Sequence, residues 1–355
     1  MDDRVYSSFD SELSTIIKKT RVNFLFGAGA SYLPQANKTG YPLMRDLVNE
    51  IKSSNEHISK LNEFRNDSLV FRCYKRFIIE QGNFEEYLSS LEGLINYPLN
   101  DNILEKIEDI IKIVKKIVVQ RIKISDDESI LGLYEKFYSN LIMLNKDKEE
   151  VFKRINLFTT NYDMLTELAL ENMGIHFYSG FFGVKKRKFN PAFYNFTYSD
   201  DMNLKTKNYI IKNDHINLYK LHGSLSWKIL EDDLIEIQDY EKNTDPVIIY
   251  PSHTKYNQTN LVAYYSTLMR EFLNQLSNEQ SSLIVIGYSF GDDHLNKLIE
   301  SALSIENFTL VAFLYSEADY EQFMKKIGKK ANTRLYYGDF ANLDSFTAFI
   351  GVEND

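Results

Sequence analysis

Hydrophobic residues fall along this chain in two rhythms, and the switches between them mark its parts. Predominantly apolar runs of strand length lie at 22–26, 155–158, 217–221, 247–250, 282–286, 310–315 and 334–337. Runs without alternation are expected of strands buried on both faces, as in a parallel sheet. Between them the apolar positions recur at helical spacing. Phe9, Leu13, Ile16 and Ile17 predict a polar helix within residues 1–20. Pro42 stands where a helix begins, which predicts a helix over 43–51. Further helices are expected over 164–171 and around 261–276.

From residue 58 to about 144 the helical rhythm is almost continuous. Phe84, Leu88, Leu91 and Ile95 form one stripe, and Ile103, Ile107, Ile110, Val114 and Ile117 another. Neither stripe carries clustered chemistry, so both are read as core faces of a helical module inserted into an α/β domain. Residues 181–214 are rich in aromatics, Lys and Asn without clear period, and are expected to form an irregular module or long loop. The alternation of strand and helix elsewhere predicts a parallel sheet with helices on both faces. The division expected is 20–52 with 151–345 for the α/β domain and 53–150 for the helical insertion, within one unit spanning 1–355.

Composition narrows the class. The 355 residues are 44% apolar and 14% aromatic, with a formal charge of −9, which fits a globular chain and does not favour nonspecific nucleic-acid binding. The run Lys185, Lys186, Arg187, Lys188 reads as a solvated loop. The one cysteine, Cys73, rules out an internal disulfide and any multi-cysteine zinc cage. The N-terminus is acidic and polar, unlike a signal peptide, and no apolar run approaches the ~20 residues of a membrane helix. A cytoplasmic protein without membrane association is expected.

The chemistry gathers at strand ends. The first run stops at Gly27 and Gly29, in a strand-to-glycine turn of the kind that opens many nucleotide sites. The usual dinucleotide fingerprint needs a third glycine where Tyr32 stands, and a helix follows where a second strand with an acidic residue is due. Other strand ends carry Asn161 to Asp163, His222, Gly287 to Ser289 and Gly338 to Phe340. Ligands of open parallel sheets bind beyond the carboxyl ends of the strands, so these five ends are expected to share one crevice. Each group also has a plainer use as a turn former, helix cap or core residue. Asp292, Asp293 and His294 are read as the start of a helix and not as a metal site.

Taken together, G-A-G-A-S at 27–31, G-Y-P-L-M-R at 40–45, T-N-Y-D at 160–163, H-G-S at 222–224 and G-Y-S-F at 287–290 resemble the sirtuin motif series in order and spacing. The variant motifs are most similar to bacterial sirtuin-like domains of antiphage defence systems, which degrade NAD. The resemblance covers roughly 20–52 and 151–340 and implies a Rossmann-like fold. It implies that Gly27, Ala28, Gly29 and Ser31 hold the NAD pyrophosphate. Met44 and Arg45 would lie by the nicotinamide ribose, with Asn161, Asp163 and the adjoining Thr160 at the nicotinamide end. His222 would be the general base, Gly287 and Ser289 would meet the adenosine side, and Gly338, Asp339 and Phe340 would lie near the adenine.

Two departures bear on activity. A four-cysteine zinc module builds part of the acyl-lysine cleft of sirtuin deacylases, and one cysteine cannot form it. The loop motif also reads Pro42-Leu43-Met44 in place of proline-aspartate-phenylalanine. The expectation is an NAD hydrolase with NAD as substrate and no zinc, in which Asn161 and His222 are catalytic and Asp163 offers charge or anchors its loop. The resemblance further implies an effector of antiphage defence that forms a homo-oligomer with a separately encoded partner, such as a HerA-type ATPase. Nucleic acid would then enter only indirectly. The alternatives are a protein deacylase or ADP-ribosyltransferase using the same pocket, and a non-catalytic NAD or ADP-ribose sensing module.

Overall fold

The structure is a computed structural model. It describes residues 5–31, 42–65, 68–123, 128–149, 152–196, 198–203, 208–212, 215–243, 245–248 and 259–352. Tyr32, Gly40, Tyr41, Ile249 and Tyr250, which enter the reading above, lie outside the described residues.

The chain opens with β1 (Val5–Tyr6), α1 (Ser11–Lys19) and β2 (Arg21–Phe26). Among the described residues six α-helices precede the next strand of the main sheet, the first five being α2 (Met44–Ser53), α3 (Asn55–Leu61), α4 (Leu69–Cys73), α5 (Phe84–Ile95) and α6 (Asp101–Ile122). A π-helical turn at Tyr74–Glu80 precedes α5. Then come α7 (Glu128–Lys146), β3 (Ile155–Thr159), α8 (Leu165–Asn172), β4 (Phe177–Tyr178), β5 (Phe181–Phe182) and β6 (Arg187–Phe189). The next strands are β7 (Tyr198–Asn203), β8 (Asn208–Lys212), β9 (Ile216–Lys220), β10 (Gly223–Ser224), β11 (Trp227–Leu230), β12 (Asp233–Glu236) and β13 (Val247–Ile248). The last part is α9 (Thr259–Leu276), β14 (Ser281–Ile286), α10 (Asp293–Ala302), β15 (Thr309–Leu314), α11 (Glu317–Lys326), β16 (Thr333–Tyr337) and α12 (Leu343–Val352).

Eight strands form one parallel sheet in the order β1-β16-β15-β14-β2-β3-β9-β4. The apolar runs are strands with both faces buried, and successive residues serve opposite cores. Phe24 and Phe26 face a layer with α1, α7, α8 and α12, where Phe137, Ala169 and Phe346 lie. Leu25 between them faces α9, α10 and α11 through Phe272, Leu295 and Phe323. This is the Rossmann-like α/β architecture expected from the pattern. Helices α2 to α6 share a separate core built on Ile51, Tyr87, Leu88, Ile110 and Val114, which meets the α/β part through Tyr162, Leu225 and Ile248. Helix α7 packs with the sheet instead.

Three local features differ from the sequence reading. Phe9 lies ahead of α1, because Asp10 caps that helix by accepting from the Leu13 N–H; its ring joins Phe313, Tyr336, Phe340 and Phe346. Residues 181–214 contain four strands among the described residues, of which β5 and β6, two and three residues long, are too short to show a period. β5 and β6 join β11 and β12 in a four-stranded sheet, and β7 pairs with β8. β13 pairs antiparallel with β10, away from the main sheet. Among the described residues, no helix is long and apolar enough to cross a membrane.

The register of the central strands is held by buried amides. Asn23, Asn156 and Asn217 are side-by-side partners on β2, β3 and β9. Asn156 donates to Asn23 Oδ1 at 2.9 Å, Asn217 donates to Asn156 Oδ1 at 3.1 Å, and Asn23 donates to the Ser282 carbonyl of β14 at 3.0 Å. A slip of one residue would send all three amides into an apolar layer. Asn156→Ala leaves Asn23 Oδ1 without its donor and Asn217 Nδ2 with only the Tyr194 carbonyl at 3.3 Å, so it is expected to cost about 1–3 kcal/mol of unfolding free energy in a urea titration. Asn23→Ala leaves Asn156 its second acceptor, Gln275 Oε1 at 3.2 Å, and should cost less. Equal small losses for both would show that the ladder does not hold the register.

Candidate active site

The strand order reverses direction at β2, with β3 on one side and β14 on the other. Such a switch point leaves a crevice beyond the strand ends. Here two glycine turns interlock across it. The Gly29 N–H donates to the Gly287 carbonyl at 2.9 Å, and the Gly27 N–H to the Ile286 carbonyl at 3.1 Å. A Cβ on Gly27 would stand 2.5 Å from the Gly287 oxygen. One on Gly287, at φ +66°, would stand 1.9 Å from the Ala30 nitrogen. The glycines therefore let two backbones touch, which leaves space above them.

That space is a cavity of about 740 Å³, within the range of small-molecule sites. Its lining includes Gly27, Ala28, Gly29, Met44, Arg45, Thr160, Asn161, Asp163, His222, Gly287 and Ser289. Most of the residues singled out by sequence are thus brought together. Ser31 is not on the lining: its buried hydroxyl shares a 2.8 Å hydrogen bond with the Tyr134 hydroxyl. Gly338, Asp339 and Phe340 are also off it, beyond the end of β16, while the following Ala341 and Asn342 line it. The Arg45 side chain is mostly in solvent.

Asn161 follows β3, and its amide donates to the Gly27 carbonyl at 3.1 Å, tying the two strand ends together. The Thr160 N–H donates to the Phe26 carbonyl at 3.0 Å in the same junction. His222 follows β9 and is buried. Its Nε2 lies 3.1 Å from Asp292 Oδ2. Asp292 caps α10 as expected from sequence, with Oδ1 accepting from the His294 N–H at 2.8 Å and from Leu295. Burial alone would raise its carboxyl, but the His222 hydrogen bond and charge and the two backbone N–H groups hold it below the usual carboxylate range. With Nε2–H given to Asp292, the neutral imidazole keeps Nδ1 as its basic nitrogen. The pairing of Asp292 with His222 was invisible in sequence, where 70 residues separate them.

Asp163 is 4% exposed, and its two oxygens have different surroundings. Oδ1 accepts from the Leu165 N–H at 2.9 Å at the start of α8. Oδ2 is buried with no hydrogen-bond partner among the described residues. Beside it, the buried Lys220 donates to the Asp163 carbonyl and pairs with Glu167 at 3.0 Å. Burial pushes the Asp163 carboxyl up to about 6, against the lowering effect of Lys220 and the Leu165 N–H.

The other wall was not foreseen. Gln81, Asn83, Phe84, Glu85 and Glu86, at the N-terminus of α5, all line the cavity. Asn83 Oδ1 caps this helix by accepting from the N–H groups of Glu85 and Glu86 at 3.0 and 3.1 Å. The Tyr162 hydroxyl donates to Glu85 Oε1. Phe84, the first residue of the expected core stripe, gave the one hint that this turn is anchored.

The raised Asp163 carboxyl has a consequence for stability. Its folded pKa, about 6, lies above the usual 3.8, so the folded state favours the protonated form. That contribution is full below 3.8 and is lost as pH rises through 6. Asp163→Asn should therefore raise the unfolding free energy at pH 8 by up to about 3 kcal/mol, with the gain shrinking toward pH 4. A variant destabilised at pH 8 would show that the ionised carboxylate is stabilising there.

Among the described residues, no group of three or more His, Cys, Asp and Glu side chains converges as a metal site would. A comparison with curated proteins finds no match to the chain. A family model described as a SIR2-like domain matches residues 155–336, just over half of the 355 residues. The matched segment carries Asn161, Asp163, His222, Gly287 and Ser289, and the pairing of β2 with β14 sets the Gly27 turn against it. With strand ends, glycine turns and matched segment in agreement, the chain belongs to the SIR2-like domain family, within the sirtuin superfamily and its NAD-related chemistry.

Proposed function

We propose that the protein is an NAD+ hydrolase that cleaves the nicotinamide–ribose bond to release nicotinamide and ADP-ribose. The observation that carries this reading is the Asp292-oriented His222, on one cavity with Asn161 and the glycine turns. Nicotinamide in NAD+ is a cation and leaves as a neutral molecule, so the step needs no acid. The C1′–N1 bond breaks with its electron pair going to the pyridine nitrogen, and positive charge passes to the ribose, as in glycoside cleavage. A water oxygen bonds to C1′, and its proton goes to His222 Nδ1. Asn161 orients the water or the ribose hydroxyls without ionising. Gly27, Ala28, Gly29, Gly287 and Ser289 would border the dinucleotide, and Met44 and Arg45 the nicotinamide ribose.

Hydrolysis is favoured over deacylation because the chain has a single cysteine and cannot build the four-cysteine zinc module. Uncontrolled NAD loss would kill the producing cell, which suits a gated effector of bacterial antiphage defence. By the same resemblance, gating would come from homo-oligomer assembly and a separately encoded partner such as a HerA-type ATPase.

The purified chain, alone and in cell extract, should release nicotinamide and free ADP-ribose from NAD without an acyl-lysine peptide. His222→Ala and Asn161→Ala should each lower turnover by about 100-fold or more while NAD still binds. Consumption of NAD only in the presence of an acylated peptide would turn the reading to a deacylase. Micromolar binding with no turnover in either setting would turn it to a sensing module.

A further inference from the structure

Hydrolysis by this route asks for two groups of opposite character: a base for water and an anion for the ribosyl cation. His222 serves as the base. Asp163 is poorly suited to be the anion, because one oxygen is committed to the Leu165 N–H and the buried Lys220 cation beside it already holds its backbone carbonyl and Glu167. The α5 wall offers another carboxyl. Glu85 is partly buried on the cavity lining, and the Tyr162 hydroxyl donates to it. The Tyr162 ring in turn lies 6.5 Å, centroid to centroid, from the His222 imidazole.

We propose that Glu85 is a further catalytic residue: the carboxylate that faces the ribose of NAD+ and stabilises its positive charge as nicotinamide departs. This rests on the hydrolase reading and deepens it. The carboxylate gives and takes no proton; it lowers the energy of the cation while C1′–N1 breaks and the water oxygen bonds. A carboxylate at a helix N-terminus is favoured by the helix dipole. Burial lifts this carboxyl above its usual range and Asp292 and Glu86 push it further, while the Tyr162 hydrogen bond, and His222 once it has taken up its proton, pull it down. These are the charged groups that face it, from β9, β3, α10 and its own helix. The net effect keeps this carboxyl above its usual range; in its ionised form the charge is poorly screened by water, where charge stabilisation is most effective. It follows that the active site is complete only when the α2–α6 segment is seated on the α/β domain.

The test compares Glu85→Gln and Glu85→Asp with wild type, with folding checked by thermal unfolding and by NAD binding. Glu85→Gln should lower kcat by about 100-fold or more, with NAD affinity within about threefold of wild type. Glu85→Asp should fall between the two. The wild-type kcat should decline on the acid side as Glu85 takes up a proton, and this limb should vanish in the residual activity of Glu85→Gln. A merely structural role would lower thermal stability and NAD affinity and leave the acid limb in place. Glu85→Gln turnover within threefold of an active wild type overturns the role of Glu85 and leaves the hydrolase reading standing. A wild-type chain that leaves NAD intact, alone and in extract, overturns both.

Discussion

The close approach of two backbones at the β2 and β14 ends is the constraint on which the rest of the site depends. Parallel neighbours must deliver their chains upward at the same edge, and side chains there would force the two turns apart. Gly27, Gly29 and Gly287 remove them, so that Gly29 and Gly287 hydrogen-bond directly. With the turns pressed together, the Gly27 carbonyl lies where the Asn161 amide of the next strand can donate to it. The floor of the cavity is thus a continuous run of backbone and amide bonds, not a set of loops that happen to meet. A floor that moves little holds the bordering side chains in place, which is what a reaction dependent on orientation requires.

Around this floor the protein tolerates buried polar groups in two ways with opposite costs. In the Asn23–Asn156–Asn217 ladder every amide N–H side finds an acceptor, with only Asn217 Oδ1 at its end buried without a partner among the described residues, and the ladder helps to set which residues reach the strand ends together. Asp163 and the Lys220–Glu167 pair are less well matched: Asp163 Oδ2 and Glu167 Oε2 are buried without partners among the described residues. Unmatched buried oxygens work against stability. Their position at and behind the cavity edge is where such a cost is offset by use on a ligand.

Most of the α/β framework was legible because it rests on local signals. Strands of β2, β3, β9 and β14 are written as apolar runs, and their ends as glycines and polar residues. What escaped notice depends on distant parts of the chain or on very short elements. β5 and β6, two and three residues long, show no alternation. The cap of α1 at Asp10 moved Phe9 out of the helix, and Ser31 and Phe340 turned to neighbours that local spacing does not reveal. Asp292 was read as a helix cap, which it is; that its second oxygen meets His222 follows only once β9 and β14 are set in one sheet. Glu85 lay in a stretch whose visible pattern was a core stripe, and the residue after the buried Phe84 carries no periodic signal of its own.

Under the proposed hydrolysis, with His222 as its base, the position of Glu85 bears on how the activity could be gated. A site whose groups all stood on one rigid sheet would be assembled whenever the chain folded, and control would then have to block access. Here the base stands on the sheet and the α5 carboxyl on a helical segment with its own core, joined to the sheet part through a few buried residues such as Tyr162, Leu225 and Ile248. Tyr162 belongs to both connections, since its ring fills that core and its hydroxyl holds Glu85. A small change in how the segment seats would move the carboxylate relative to His222 without disturbing the glycine floor. Charge stabilisation falls steeply with such displacement. Under the proposed hydrolysis, binding and cleavage are therefore separable: the floor would hold the dinucleotide while the helical wall would decide whether it is cut.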